Sequence, residues 1–355
     1  MKSIHRLLFT VMTVVTAIDL FCGAGGLSQG LKESGIDVKA GYDIDPACEY
    51  PYKSNIGAPC ILKDIRRVTA DDLISLWDRD SVRLLAGCAP CQPFSSMRRG
   101  FDTSGEDKWN LLDEFARLVR DTRPELITME NVPRLRKMSI FDDFLNTLES
   151  MGYSYDYQVL YGPDYGLAQE RRRLVLVASR VSVVKVPDPI YSREEYRTVK
   201  DVIGNLPGLK NGGMDPSDPL HKARMLNPLN LRRIQQSKPG GTWMDWPKEI
   251  RAQCQLKATG QSFKSFYGRM RWDVPSPTIT TQSYNYGSGR FGHPSQDRPI
   301  TLREAAMLQS FPKEYKFVAD GERPTFQNVG RLIGNAVPPV FGKVVGKELL
   351  SSLNE

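Results

Sequence analysis

Apolar residues in the first third of the chain fall into short runs, each closed by glycine, proline or an acid. Residues 14–20, 38–42, 60–62, 82–87 and 125–129 form such runs, and the segments between them are long enough for a crossover, most often a helix. Short apolar runs alternating with helical segments predict the buried strands of a parallel α/β sheet. Polar residues follow every run: Phe21-Cys22-Gly23-Ala24-Gly25-Gly26 after the first, Asp43 and Asp45 after the second and Asp64 after the third. Cys91 follows the fourth, and Glu130-Asn131-Val132 the fifth. In a parallel sheet these ends share one edge, so five strands deliver their polar residues to one crevice.

The pattern changes near residue 150. Residues 153–159 alternate like a strand and 174–178 read as another, with Gln169-Glu170-Arg171-Arg172-Arg173 between them. If the second of these runs antiparallel, its start lies on the same edge and the arginines join the crevice. From about 181 the chain is rich in Pro, Gly and Asn with weak periodicity, and after Pro338-Pro339 residues 340–353 read as an amphipathic helix. The expected division is a large domain of residues 12–185 plus 325–355 and a smaller one, residues 186–324, of short strands and loops.

At 355 residues and 40% hydrophobic content the chain can bury a large core. Cysteines at 22, 48, 60, 88, 91 and 254 lack the dense spacing of a disulfide scaffold, which points to a reducing, cytoplasmic setting. No apolar run is long enough to cross a bilayer. Lys2, His5 and Arg6 before an apolar stretch imitate a signal peptide, but no small-residue cleavage site precedes the glycine loop, so residues 1–11 are assigned as a leader. The net charge of +7 is uneven: residues 181–300 hold eighteen Lys/Arg against ten Asp/Glu. Within 220–272 the count is eleven to two, interleaved with Trp243, Trp246, Phe263, Phe266, Tyr267 and Trp272. A polyanion partner explains this better than a merely solvated face.

The glycine loop with Asp43 twenty residues after Gly23 has the form of a nucleotide-binding unit, though a plain tight turn has the same glycines. It lacks the last glycine of Gly-x-Gly-x-x-Gly, which favours an adenosine ligand without a pyrophosphate. Cys91, between Pro90 and Pro93, is the candidate nucleophile, held in one direction by its prolines. Cys88-x-x-Cys91 also suits a redox pair or half a zinc site. However, His5, His221 and His293 lack ligand spacing, so no metal is expected, and the segment after Pro93 reads as a basic loop. Cys88 is read as a packing residue. Glu130 is either a buried acid held by Arg171 or Arg173, or a proton donor to a ring nitrogen. Thiol, acid and arginine together suit attack on an electron-poor heterocycle.

Six motifs in order carry a resemblance over nearly the whole chain. They are the glycine loop from Asp19, Gly87-Cys88-Ala89-Pro90-Cys91-Gln92-Pro93-Phe94-Ser95, Glu130-Asn131-Val132, residues 169–173, residues 303–312, and Gly334-Asn335-Ala336-Val337-Pro338-Pro339. The chain resembles the DNA (cytosine-5)-methyltransferase family. The resemblance implies a Rossmann-like sheet that binds S-adenosylmethionine, without a metal, and a smaller, mostly β or irregular target-recognition domain, with double-stranded DNA between them. Phe21, Gly23, Gly25, Gly26, Ile44, Ile65, Pro90, Leu111 and Asn335 would border the cofactor, Asp43 its ribose and Asp64 its adenine amino group. The family often has Glu at the position of Asp43, so Asp45 competes for that role.

The resemblance further implies that Cys91 adds to C6 of a flipped cytosine. Glu130 would protonate N3, and Arg173, with Arg171 beside it, would hold the base. Gln92, Ser95, Arg98 and Arg99 would contact DNA from the basic loop. Thr280 and Gln282, in a recognition region of residues 278–282 followed by 284–292, would meet base edges. A monomer is expected, with a cognate restriction endonuclease as a conceivable companion. The competing readings are an RNA (tRNA) cytosine-5 methyltransferase on the same fold and a non-catalytic DNA-binding relative.

Overall fold

A computed structural model describes residues 14–90, 111–257 and 264–354. The expected leader, residues 1–11, lies outside them. The first half alternates β1 (Val15–Leu20), α1 (Gly26–Ser34), β2 (Asp37–Asp43), α2 (Glu49–Ile56), β3 (Cys60–Leu62), α3 (Ala70–Ile74), β4 (Val82–Gly87), α4 (Leu111–Thr122) and β5 (Leu126–Asn131). Helix α5 (Ser139–Ser150) then leads to β6 (Ser154–Tyr161), the two-residue β7 (Gln169–Glu170) and β8 (Arg172–Ser179).

Seven strands form one sheet in the order β3-β2-β1-β4-β5-β8-β6. The first five are parallel, and β8 runs antiparallel to both of its neighbours. The arginine-rich start of β8 therefore lies on the same edge as the carboxyl ends of the parallel strands. Strand order reverses between β1 and β4, which is where sheets of this kind bind ligands. β5 is longer than its apolar run suggests: Glu130 and Asn131 are its last two residues, paired with Val175 and Leu174 of β8. Hydrogen bonding to β8 carries the strand past the point where side-chain apolarity stops.

Alternate residues feed two layers. Val15 and Ala17 of β1 with Val175 and Val177 of β8 face one cluster, and Ile18 and Leu20 with Leu174 and Leu176 face the other. The first layer holds α1 and the last helix, α10 (Pro339–Ser352). The second holds α4 and α5, whose Phe115 and Phe144 meet edge to face at 5.7 Å.

Past residue 180 regular structure thins to α6 (Val199–Ile203), the hairpin of β9 (Met214–Asp215) and β10 (Asp218–Lys222), α7 (Pro228–Gln235) and β11 (Ser276–Pro277). Helices α8 (Leu302–Leu308) and α9 (Phe326–Asn335) precede α10, and β11 pairs with β7. A separate small core forms around Leu226, Ile234, Trp243, Trp246, Ile250 and Tyr286. Part of the basic surplus is used inside it. Arg233 lies over Trp246 and Tyr267, and Arg251 over Trp243. Buried Arg269 donates to the carbonyls of Ile234, Ser237, His293 and Gln296 and pairs with Asp297. Three of the eleven cations of 220–272 are thus internal staples for irregular backbone, while Lys222, Arg224, Arg232, Lys238, Lys248, Lys257, Lys264 and Arg271 are exposed.

Candidate active site

Beyond the ends of β1, β2, β4 and β5 lies a cavity of about 540 Å³, lined by Asp19, Phe21, Gly23, Asp43, Ile44, Asp64, Ile65, Pro90, Leu111, Glu130, Arg171, Arg173 and Asn335, among others. Asp43 ends β2 and accepts the Gly23 N–H at 2.8 Å and the Asp45 N–H at 3.0 Å, which ties the glycine loop to the second strand. Asp45 instead forms an ion pair with Arg331 and caps Ala47 N–H at 3.0 Å. Asp64 is forked by Arg66, with Nε and Nη2 at 3.1 and 2.7 Å from Oδ2, and this holds its carboxyl below the usual range. Ile44 is 69% exposed at the cavity mouth, an apolar surface left open to solvent.

Gly25 and Gly26 are not among the lining residues. A Cβ on Gly26 would lie 2.1 Å from the Val337 carbonyl oxygen, and one on Gly25 would meet Tyr315, Ile56 and Tyr52. Their missing side chains let the start of α1 approach protein closely.

Asp19 is the one carboxylate inside β1. Its Oδ2 accepts from Ser28 Oγ at 2.6 Å, while Oδ1 is buried without a hydrogen-bond partner. Burial pushes its pKa up to about 7. The Arg331 guanidinium pairs with Asp45 and also feels the charge of Asp43.

Glu130 lies between two groups. Cys88 Sγ donates to Oε2 at 3.1 Å, and Arg173 Nε sits 2.9 Å from Oε1. That pair is an ionic contact off the hydrogen-bond axis, so Oε1 is left without a bond. Cys88 packs against the core, as the sequence suggested, and also donates to the candidate acid. Asn131 reaches back to the Ala89 carbonyl at 3.1 Å, fixing the segment that leads to residue 91. Cys91, Gln92, Ser95, Arg98 and Arg99 lie outside the described residues. Pro90 and Leu111, on either side of that stretch, both line the cavity.

The cavity opens into a cleft of about 1490 Å³, and Val132, Arg171, Arg173, Gly334 and Asn335 line both. Thr280 and Gln282 also line the cleft, in the segment that follows the β7–β11 pairing. Arg171 sits at the junction, donating to the carbonyls of Ile279 at 3.2 Å, Gly334 at 3.5 Å and Ala336 at 3.2 Å. It makes no contact with Glu130 closer than Arg173 does, and its part is to clasp backbone. Burial and the neighbouring Arg173 lower its proton affinity, yet a guanidinium stays charged at neutral pH. Gln169 accepts Ile279 N–H at 2.9 Å and donates to Gln309, which in turn donates to the Ile333 carbonyl. Gly334 has no room for a side chain: a Cβ would lie 2.2 Å from Thr281 N.

The profile of the C-5 cytosine-specific DNA methylase family matches residues 15–351. The chain belongs to that family. It is 48% identical over 339 residues to the Type II methylase M.HgiDII of Herpetosiphon aurantiacus, covering 95% of each chain. It is 32% identical to the Type II methyltransferase M1.HphI of Haemophilus parahaemolyticus, covering 95% of this chain and 87% of that one. In fold it is similar to a putative DNA modification methyltransferase from an E. coli prophage, with a TM-score of 0.70 at 23% identity, covering 96% of this chain and all of that one.

For a C-5 cytosine methylase, the described residues bring the predicted cofactor set other than Gly25 and Gly26, together with Glu130 and both arginines, to one cavity. Three contacts at the site had no counterpart in the sequence: Asp19 with Ser28, Cys88 with Glu130 and Gln169 with Gln309. A lone acid in an apolar strand was a visible signal for Asp19. The others depend on contacts between distant segments. Among the described residues no group of three or more His, Cys, Asp or Glu side chains could hold a metal, and no helix is long and apolar enough to cross a membrane.

Proposed function

We propose that this methylase transfers a methyl group to C5 of a cytosine swung out of duplex DNA, with Cys91 as the nucleophile toward C6. The observation that carries the reading is the position of Glu130 and Arg173, at the junction between the acid-bearing cavity and the open cleft. The cavity residues fit S-adenosylmethionine. Its volume lies in the range of small-molecule sites, Asp43 can meet a ribose diol, and Ile44, Ile65, Phe21, Pro90 and Leu111 offer apolar walls to adenine. The unpartnered Asp19 oxygen and the charge of Asp43 suit a cationic ligand, and Asn335 stands where the cavity meets the cleft. S-adenosylmethionine supplies the methyl group when bound.

The chain's own residues would prepare the acceptor. The Cys91 thiolate adds to C6, Glu130 holds a proton at N3, and Arg173 orients both the carboxyl and the base O2. C5 becomes enamine-like and takes the methyl group. Loss of the C5 proton then expels the thiolate. Thr280 and Gln282 would read base edges from the cleft. The Type II names of the relatives support a restriction-modification setting.

Labelled methyl transfer to duplex DNA and to tRNA, followed by sequencing of the modified positions, tests the reading. Cys91→Ala is expected to lose methyl transfer entirely and to form no covalent complex with 5-fluorocytosine DNA. Full residual activity would overturn the nucleophile, and transfer to tRNA alone would overturn the substrate.

A further inference from the structure

Directly after Glu130-Asn131, the chain makes a short 3-10 turn, Pro133–Lys137. Leu135 is 1% exposed and anchors the turn in the core beside α4 and α5. That anchoring turns Arg134, Arg136 and Lys137 outward, all exposed and all lining the cleft. None of the three has a carboxylate partner among the described residues. Across the same wall, exposed Arg172 lies 4.2 Å over the ring of Tyr161. Among the described residues the one acid in the cleft lining is Glu170.

Three cations on a five-residue turn repel one another unless an anion faces them. Other arginines of this protein that have structural work are visibly engaged, as Arg233, Arg251 and Arg269 are. These are not. At about 2 Å of rise per residue in a 3-10 turn, Arg134 to Lys137 spans about 6 Å. Along a B-form strand that is the axial span of about two phosphates.

We propose that Arg134, Arg136, Lys137 and Arg172 form a phosphate-gripping strip. It holds the backbone of the duplex beside the flipped base and positions it without reading sequence. The inference rests on the proposed DNA methylation, and it assigns the docking of the duplex to the part of the cleft formed by Pro133–Lys137 and the start of β8.

The test is the salt dependence of duplex binding by the full chain and by R134Q/R136Q/K137Q. Each phosphate contact contributes about 0.9 to the slope of log affinity against log salt. The triple variant is expected to lose about 2 from that slope, so between 50 and 200 mM salt its affinity falls about 15-fold less than that of the wild type. The loss should be equal for cognate and non-cognate duplexes, and R134K/R136K should restore the slope. KM for DNA should rise while the affinity for S-adenosylmethionine, a check on folding, holds. An unchanged slope overturns the strip while leaving the methylation reading intact. So does a loss confined to cognate DNA, which would make these residues base readers. A wild-type protein that methylates no duplex overturns both.

Discussion

The cavity and the cleft meet at five shared residues, yet they are built in opposite ways. In the cavity, each carboxyl is fixed by close partners: Asp43 is held by two main-chain N–H groups, Asp64 by the Arg66 guanidinium, and Asp19 by the Ser28 hydroxyl. In the cleft, Arg134, Arg136 and Lys137 stand exposed on a turn. The first arrangement suits a small ligand that must be held in one pose, because preorganised partners add little ordering cost. The second suits a polyanion, whose counterions are released by any cation within reach. Glu130 stands at the boundary, where a base from the cleft would meet a methyl donor in the cavity.

Glu130→Gln is the most forceful way to break that comparison. Gln cannot hand a proton to a ring nitrogen as a carboxylic acid can, so the rate of methyl transfer should fall about 10²- to 10⁴-fold, the usual worth of general acid–base help. Affinities for S-adenosylmethionine and DNA should change little. Single-turnover transfer with separate binding titrations measures both. A variant with wild-type turnover would place the chemistry away from the junction.

The two regions also differ in how far the sequence discloses them. Strand ends are legible because β1, β2, β4 and β5 are apolar runs of strand length, so Asp43, Asp64 and Glu130 are placed by topology. The antiparallel strand that brings Arg173 to Glu130 follows from the same reasoning. Gly25 and Gly26 are not legible in role, since their constraint comes from Tyr315 and Val337, about three hundred residues later. The irregular stretch past residue 180 is least legible. Counting cations in 220–272 locates charge but does not say which arginines lie on Trp243, Trp246 and Tyr267, because that depends on how irregular backbone folds back on itself. The exposed cations of the cleft come instead from Pro133–Lys137, outside the basic segment.

Asp19→Asn sharpens the cavity side. In the folded protein Asp19 titrates at about 7, and in the unfolded chain near 3.8. Below pH 4 both states hold the proton. Between pH 4 and 7 the unfolded chain releases it and the folded protein retains it, so this residue lowers stability as pH rises across that window. The shift corresponds to roughly 4 kcal/mol as an upper bound. Asparagine removes this component, so the stability difference between variant and wild type should grow in the variant's favour up to pH 7 and then level off. Affinity for the cationic cofactor should move the other way: rising with pH toward 7 in the wild type and lower and flat in the variant. Denaturant titrations and calorimetric binding from pH 5 to 8 read both, and parallel pH profiles for the two proteins would remove Asp19 from the cofactor's surroundings.

Arg171 tests whether the two regions are separable at all. It is fully buried, and its guanidinium is bound to Ile279 on the cleft wall and to Gly334 and Ala336 beside the cavity. Truncation to Ala leaves those carbonyls without their donor and should cost about 3 kcal/mol of stability. Arg171→Met keeps much of the volume and removes the charge, so it separates filling from bonding: desolvation of the cation and repulsion from Arg173 are relieved while the carbonyls still lose their donor. If the clasp aligns the two walls, Met should recover part of the stability but neither the affinity for S-adenosylmethionine nor the fidelity of site choice. Both should weaken together, because residues 279–281 and 334–336 are held by one side chain. Glu130→Gln leaves both of those properties in place, and Asp19→Asn alters only the first. An Arg171→Met protein with wild-type affinity and fidelity would mean that the Gln169–Gln309 network aligns the walls unaided.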